Sequence, residues 1–340
     1  MGTVYVIGAG ASKEIWDLPV LGKFFKDDEV KSLLRERHTL RRYIRLRFGD
    51  PSRVNLEHLL ADLDNQLLGL GLMWHGTHSK HNCEALSART ELLTLLKDRF
   101  EKVDPQIDST YGHVIKTPLG QDDRIITFNY DLGIEAFLNQ PVNTGFTTDD
   151  ILGGLSLANV NYNLDSGSVR GADLPLIKLH GSIDYWTCCN PECPHGFRIF
   201  HRRYHDEKGF CSLCGASAEC VIVPPSSTKS FSKYPRLALL WRVAEQSLYK
   251  CDRLTFWGYS CPPSDHHFAW LLRNSFSAKR TDKEFSITIV DRCARRVAKH
   301  LRLYRPESLG HTLGHSASGA HETMGGSRAW NAGALPRTPE

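Results

Sequence analysis

The sequence has no apolar run approaching membrane-spanning length, no basic stretch leading into an apolar one at its start, and no strong excess of either charge. The first absence removes any expected transmembrane helix, which needs about 20 consecutive apolar residues. The second argues against a secretory leader, because Met1-Gly2-Thr3-Val4-Tyr5-Val6-Ile7 runs directly into a glycine turn. Val6 also stands where a myristoylation signal at Gly2 would need Ser or Thr. A net charge of +4 over 340 residues is too small to imply a dedicated nucleic-acid binder. With 41% hydrophobic and 24% charged residues, the composition is that of an ordinary globular protein, expected to be cytoplasmic.

Short β-branched runs alternate with helical patterns. Segments 3–7, 124–128, 176–179, 221–223, 253–257 and 285–290 read as buried strands. Leu56, Leu59, Leu60, Leu63 and Leu67 recur at helical spacing, as do Leu237, Leu240, Trp241, Ala244 and Leu248. The expectation is an α/β fold, a Rossmann-like parallel sheet with helices on both faces, occupying residues 1–306. Residues 31–103 carry helical patterns and no convincing strand, so they form a helical insertion between the first two strands. Residues 139–173 are rich in Asn, Gly, Ser and Asp and read as loops. Residues 307–340 contain few core-forming side chains and are expected to be a disordered tail.

Three clusters carry chemistry. Val4-Tyr5-Val6-Ile7-Gly8-Ala9-Gly10-Ala11-Ser12 sets a strand before two glycines, where a tight turn brings backbone amides towards a pyrophosphate. The full G-x-G-x-x-G fingerprint fails at Lys13, and a plain turn closing a strand is the competing reading. Asn129 and Asp131 follow one strand, and His180 follows another, at the strand ends where open α/β sheets bind ligands. Each has an ordinary alternative: Asn129 satisfying a turn, Asp131 capping a helix, His180 buried for structure. The residues alone reach as far as a nucleotide site with a candidate base.

Six of the ten cysteines lie between Cys188 and Cys220, which fits a metal site better than a disulfide framework. Two close pairs suit a four-thiolate zinc site in a small zinc-ribbon-like module at 186–220. Cys188 or Cys189 pairs with Cys193. The favoured set is Cys189, Cys193, Cys211 and Cys214, with Cys220, His195, His201 and His205 as substitutes. Four protein ligands leave no open position, so such a zinc is structural.

Taken in order, Gly8-Ala9-Gly10-Ala11-Ser12, Thr127-Phe128-Asn129-Tyr130-Asp131, Lys178-Leu179-His180-Gly181-Ser182 and Gly258-Tyr259-Ser260 resemble the sirtuin superfamily, over roughly residues 1–305. The pattern looks most like the sirtuin-like branch of bacterial antiphage defence proteins, whose members hydrolyse NAD. That resemblance implies an NAD glycohydrolase yielding nicotinamide and ADP-ribose, with an antiviral defence role. It implies that Gly8, Ala9, Gly10 and Ser12 hold the pyrophosphate, and that Asn129 and His180 form the catalytic centre. Asp131 then shapes the nicotinamide pocket, Gly258 and Ser260 contact ribose and phosphates, and Asp291 meets the adenosine ribose. Deacylating sirtuins usually carry Gln-Asn-Ile/Val-Asp where this chain has Phe128-Asn129-Tyr130-Asp131, and their Gly-Ile-Pro-Asp-Phe-Arg stretch is absent. An NAD-dependent protein deacylase and a non-catalytic NAD or ADP-ribose sensor are the alternatives. A homo-oligomer or an activating partner protein remains open.

Seven arginines (35, 37, 41, 42, 45, 47 and 53) crowd one region and could track a phosphate backbone. A solvated helix face is the favoured reading, since no aromatic stacking residues or recognised nucleic-acid fold accompany them.

Overall fold

The computed structural model describes residues 2–67, 78–101, 114–115, 119–120, 122–138, 161–163, 168–170, 176–193, 199–201, 210–211, 213–223, 234–262, 265–277, 285–302 and 313–316. In chain order the strands are β1 (Thr3–Ile7), β2 (Arg124–Thr127), β3 (Asn161–Asn163), β4 (Ser168–Arg170), β5 (Leu176–Lys178), β6 (Gly181–Cys188), β7 (Phe200–His201), β8 (Ala218–Ile222), β9 (Arg253–Trp257), β10 (Ser286–Val290) and β11 (Leu313–Ser316). The α-helices are α1 (Ala9–Trp16), α2 (Asp28–Arg35), α3 (His38–Phe48), α4 (Leu56–Leu67), α5 (His78–Phe100), α6 (Gly133–Leu138), α7 (Pro235–Lys250), α8 (His266–Ser277) and α9 (Ala294–Arg302).

The main sheet runs β11-β10-β9-β1-β2-β5, every neighbouring pair parallel. Numbered by their own order of appearance, its strands lie 6-5-4-1-2-3, the doubly wound arrangement, with the direction of winding reversing between β1 and β9. Side chains alternate between the two faces of each strand, as a period of two requires. Val4, Val6, Ile126, Ile177, Leu254, Phe256, Ile287 and Ile289 share one core with Leu237, Leu240, Leu248, Phe268, Leu271 and Leu301 of α7, α8 and α9. Tyr5, Ile7, Ile125, Leu176 and Trp257 face the other way, onto Ala11, Ile134, Phe137 and Leu138 of α1 and α6. Helices therefore cover both faces, as expected.

The stretch 221–223 departs from the sequence reading. It does not join the parallel sheet: Val221 and Ile222 end β8, which pairs antiparallel with β6 in a small sheet ordered β7-β6-β8. A short apolar run cannot by itself distinguish the two settings. Within 139–173, β3 and β4 pair antiparallel where only loops were expected. The tail expected to be disordered from 307 contributes β11, which pairs with β10 through backbone groups and so needs no apolar sequence; residues 317–340 lie outside the described part.

Between β1 and β2 the described residues form α2, α3, α4 and α5 with two short 3-10 turns, beginning at Leu21, nearer α1 than the residue 31 expected for the insertion. In α4 the leucines at 56, 59, 60 and 63 are buried at helical spacing. Asp27 caps α2, accepting from Val30 N at 3.0 Å. Glu91 of α5 accepts from Leu40 N at 2.8 Å and so caps α3 from outside. Much of the basic stretch is neutralised internally, with Arg37 on Asp98, Arg42 on Glu84 and Arg47 on Asp62. The insertion's core extends to Ile183, Cys220 and Ile222, so it packs against the small sheet. Arg99 of α5 also donates to Asp17 O at 3.3 Å and to Asp27, tying the insertion to the end of α1. Among the described residues, no helix is long and apolar enough to cross a membrane.

Candidate functional site

The motif residues gather at the carboxyl ends of β1, β2, β5, β9 and β10, the edge of an open parallel sheet where ligands bind. At the winding reversal the turn after β1 meets the turn after β9. Gly8 N donates to Trp257 O and Gly10 N to Gly258 O, both at 2.9 Å. Gly258 has φ of +59°, and a Cβ there would lie 2.2 Å from Ala11 N and 2.7 Å from Gly10 C. The glycines are thus required by the mutual approach of two backbones. The sequence motif does not show this, and it changes which backbone amides of the turn are already engaged. The amides of Gly10 and Ala11 already have backbone acceptors, Gly258 O and Gly8 O, while Ala9 opens α1 at its positive end.

Asn129 stands two residues beyond the end of β2. Thr127 Oγ1 donates to Ile7 O at 2.8 Å and accepts from Asn129 N at 3.1 Å, which fixes the turn to β1. The Asn129 amide then donates from Nδ2 to Ser12 Oγ at 2.9 Å, in a buried contact with α1. Two predicted residues are thereby joined directly.

His180 stands equally far beyond β5, since Thr127 pairs with Lys178 and Leu179 N continues the ladder to Thr127 O. Asn129 and His180 are therefore at matching positions on adjacent strands. His180 is 1% exposed, and its ring meets Phe128 edge-on, with ring centroids 5.0 Å apart. Phe128 in turn stacks on Tyr259 at 4.5 Å, linking His180 to the turn that holds Gly258. Beneath, the buried Lys178 ammonium donates to Asp131 O at 2.5 Å and to Glu135 at 2.7 Å, pinning the segment that follows Asn129. Burial pushes the Glu135 carboxyl up, against the opposing pull of that ammonium.

The remaining predicted residues have local structural bonds. Asp131 Oδ1 accepts from the N–H of Gly133, the first residue of α6, at 3.0 Å, and Asp291 Oδ1 accepts from Cys293 N at 2.7 Å. Ser260 is exposed, and its carbonyl lies 3.4 Å from His300 Nδ1. Sequence reasoning missed Asp265, whose carboxylate lies 3.9 Å from His180 Nε2. Placed just before an apolar helix, it reads in the sequence as an ordinary start signal.

In the cysteine module the structure brings together Cys188, Cys193, Cys211 and Cys214, their sulfurs all within 4.8 Å of one another. Cys189, favoured from the sequence, is not in this cluster. Cys188 ends β6 with its side chain turned inward, and the next residue of an extended chain points the opposite way. A tetrahedral ion with Zn–S bonds of about 2.3 Å needs sulfurs roughly 3.8 Å apart. The Cys188–Cys214 and Cys193–Cys211 separations of 3.5 and 3.9 Å fit that spacing, and no disulfide joins them. Burial pushes the Cys188 thiol up to about 12, whereas the Ala216 amide lowers Cys214 to about 7. Cys220 lies apart, in the insertion's core; His195 and His205 fall outside the described residues.

No protein-family model matches the chain, and no curated protein sequence does either. Solved structures similar to it include a Sir2 mutant with a p53 peptide and NAD, 13% identical over 85% of this chain and 81% of that one, with a TM-score of 0.32. Another is a mutant Sir2 homologue with 2'-O-acetyl ADP ribose, 12% identical over 92% and 94%, with a TM-score of 0.41. The likeness at these scores is loose, and it is the strand order that defines the fold as doubly wound.

Proposed function

We propose that the chain binds NAD across the carboxyl ends of β1, β2, β5 and β9 and hydrolyses its nicotinamide–ribose bond, giving nicotinamide and ADP-ribose. The observation that carries this reading is the Ser12–Asn129 contact, which fixes a carboxamide between the glycine turn and the strand end bearing His180. The positive end of α1 and the Ala9 amide suit the pyrophosphate. Cleavage develops positive charge on the ribosyl carbon, which favours a closed, preorganised pocket. Asn129 orients the attacking water or the ribose, and neutral His180 accepts a proton from that water or from a ribose hydroxyl. Asp131, Gly258, Ser260 and Asp291 line the path of the dinucleotide in this reading. A zinc ion held by Cys188, Cys193, Cys211 and Cys214 supplies structure to the small sheet and takes no part in the reaction.

The motif resemblance adds a biological role, depletion of NAD in a phage-infected cell. The decisive experiment incubates the protein with NAD alone and separates the products by chromatography. Wild type is expected to release nicotinamide and ADP-ribose, and Asn129→Ala and His180→Ala to lose at least about 10²-fold each, the scale of one acid–base contribution. Turnover only with an acylated peptide would make the protein a deacylase, and binding without turnover a sensor. Equal turnover by all three proteins would sink the site assignment.

A further inference from the structure

A buried carboxylate faces the candidate base from outside every motif. Asp265 sits in the turn before α8, and its main chain builds that turn, with Asp265 N on Pro262 O and Ala269 N on Asp265 O. Its side chain is directed elsewhere. Oδ2 accepts from the Tyr259 hydroxyl at 2.7 Å, and Oδ1 lies 3.9 Å from His180 Nε2. Aromatic rings enclose the three groups. Phe268 meets Phe128 edge-on at 4.9 Å and Tyr259 at 5.5 Å, and Trp241 lies 6.3 Å from the imidazole. His180, Asp265 and Tyr259 are all at most 5% exposed, so water screens their interaction poorly.

We infer that Asp265, itself fixed by the Tyr259 hydroxyl, is a positioning residue that holds the His180 ring and favours its charged form. The inference deepens the proposed hydrolysis and rests on His180 being its base. As His180 gains a proton, the nearby carboxylate offsets the new charge, the orienting role that a third group plays beside a general base. Tyr259 follows Gly258, so the turn that packs against the glycine loop also fixes this carboxylate. The other titratable groups around His180 come from three directions. Tyr130, after β2, donates to Val223 O, next to the Val223 amide that meets His180 O. His267 of α8 lies beyond Trp241, 6.0 Å from that ring. Lys178 is turned to Glu135.

The test follows the His180 imidazole by nuclear magnetic resonance in the ¹⁵N-labelled full chain as pH is varied. Its signal is identified by its loss in His180→Gln. Asp265→Asn keeps the shape and removes the charge. It is expected to lower the His180 titration midpoint by about 1 pH unit or more, with Tyr259→Phe falling between it and wild type. The acid limb of nicotinamide release should move down with that midpoint, kcat dropping about tenfold while KM for NAD changes little. A purely structural Asp265 would lower the unfolding midpoint and leave the titration in place, so an unchanged midpoint in folded Asp265→Asn overturns the inference. If the midpoint moves but wild type releases no nicotinamide, the pair stands and the functional reading is what fails.

Discussion

Replacing Gly258 by Ala tests whether the two turns at the winding reversal really depend on backbone contact. Its φ of +59° is a region that costs an L side chain about 1–2 kcal/mol. The new methyl would also stand 2.2 Å from Ala11 N and 2.7 Å from Gly10 C, backbone atoms that can retreat only by moving the first turn of α1 away from β9. Overpacking of that kind costs a further 1–3 kcal/mol or so. Their sum, about 2–5 kcal/mol, is a large part of the roughly 5–15 kcal/mol that stabilises a typical domain. The assay is urea unfolding, read as a fall in midpoint at unchanged slope, with calorimetric binding of ADP-ribose measured on the folded protein. Gly215 provides the control. It too has positive φ, +70°, but a Cβ there meets nothing within 4 Å, so Gly215→Ala should show the conformational cost alone. Equal losses for the two variants, or a loss under about 0.5 kcal/mol for Gly258→Ala, would refute the reasoning.

Two further outcomes follow. Metal analysis should find one zinc per chain, lost in Cys188→Ser and retained in Cys189→Ser; the opposite pattern would show that the cluster of four sulfurs is not the ligand set. Burial works to raise the Asp27 carboxyl, but Arg99 and the Val30 amide outweigh it and hold the group below its usual range. A depressed carboxyl stabilises the fold above its unfolded value near about 4, and that contribution disappears as pH falls through the folded value. Asp27→Asn should therefore cost about 1 kcal/mol at pH 7, after allowing for solvent screening of a partly exposed pair, and progressively less as pH falls below about 4. A loss independent of pH in denaturant unfolding would exclude the ionic account.

The legible parts of the sequence were those governed by short-range pattern. Five of the parallel strands showed themselves as β-branched runs because each is buried on both faces, and the leucines of α4 kept helical spacing because one side of the helix is buried. Partnership was harder to read. Val221 looks like any core strand residue, yet its neighbour across the sheet is β6, a choice made by chain reversal far from the segment itself. Nothing in Leu313-Gly314-His315-Ser316 marks a strand, because the edge of β10 supplies the order through main-chain bonds. At the site, Asn129 and His180 stood out by following strands, while Asp265 was hidden behind the ordinary grammar of a helix start. The choice between Cys188 and Cys189 turned on where β6 ends, the kind of boundary that pattern reads least well.

The chain crosses from the main sheet to the small one in only two residues, Leu179 and His180. Val223 N, just past β8, closes onto His180 O at 2.9 Å, while β6 departs immediately at Gly181. The imidazole is thus mounted on a hinge pin shared by two sheets, one ending near the proposed substrate and the other running out to the four cysteines. If loosening of the cysteine end spreads along β6 and β8, amide exchange at His180 and Val223 is where its arrival at that pin should register.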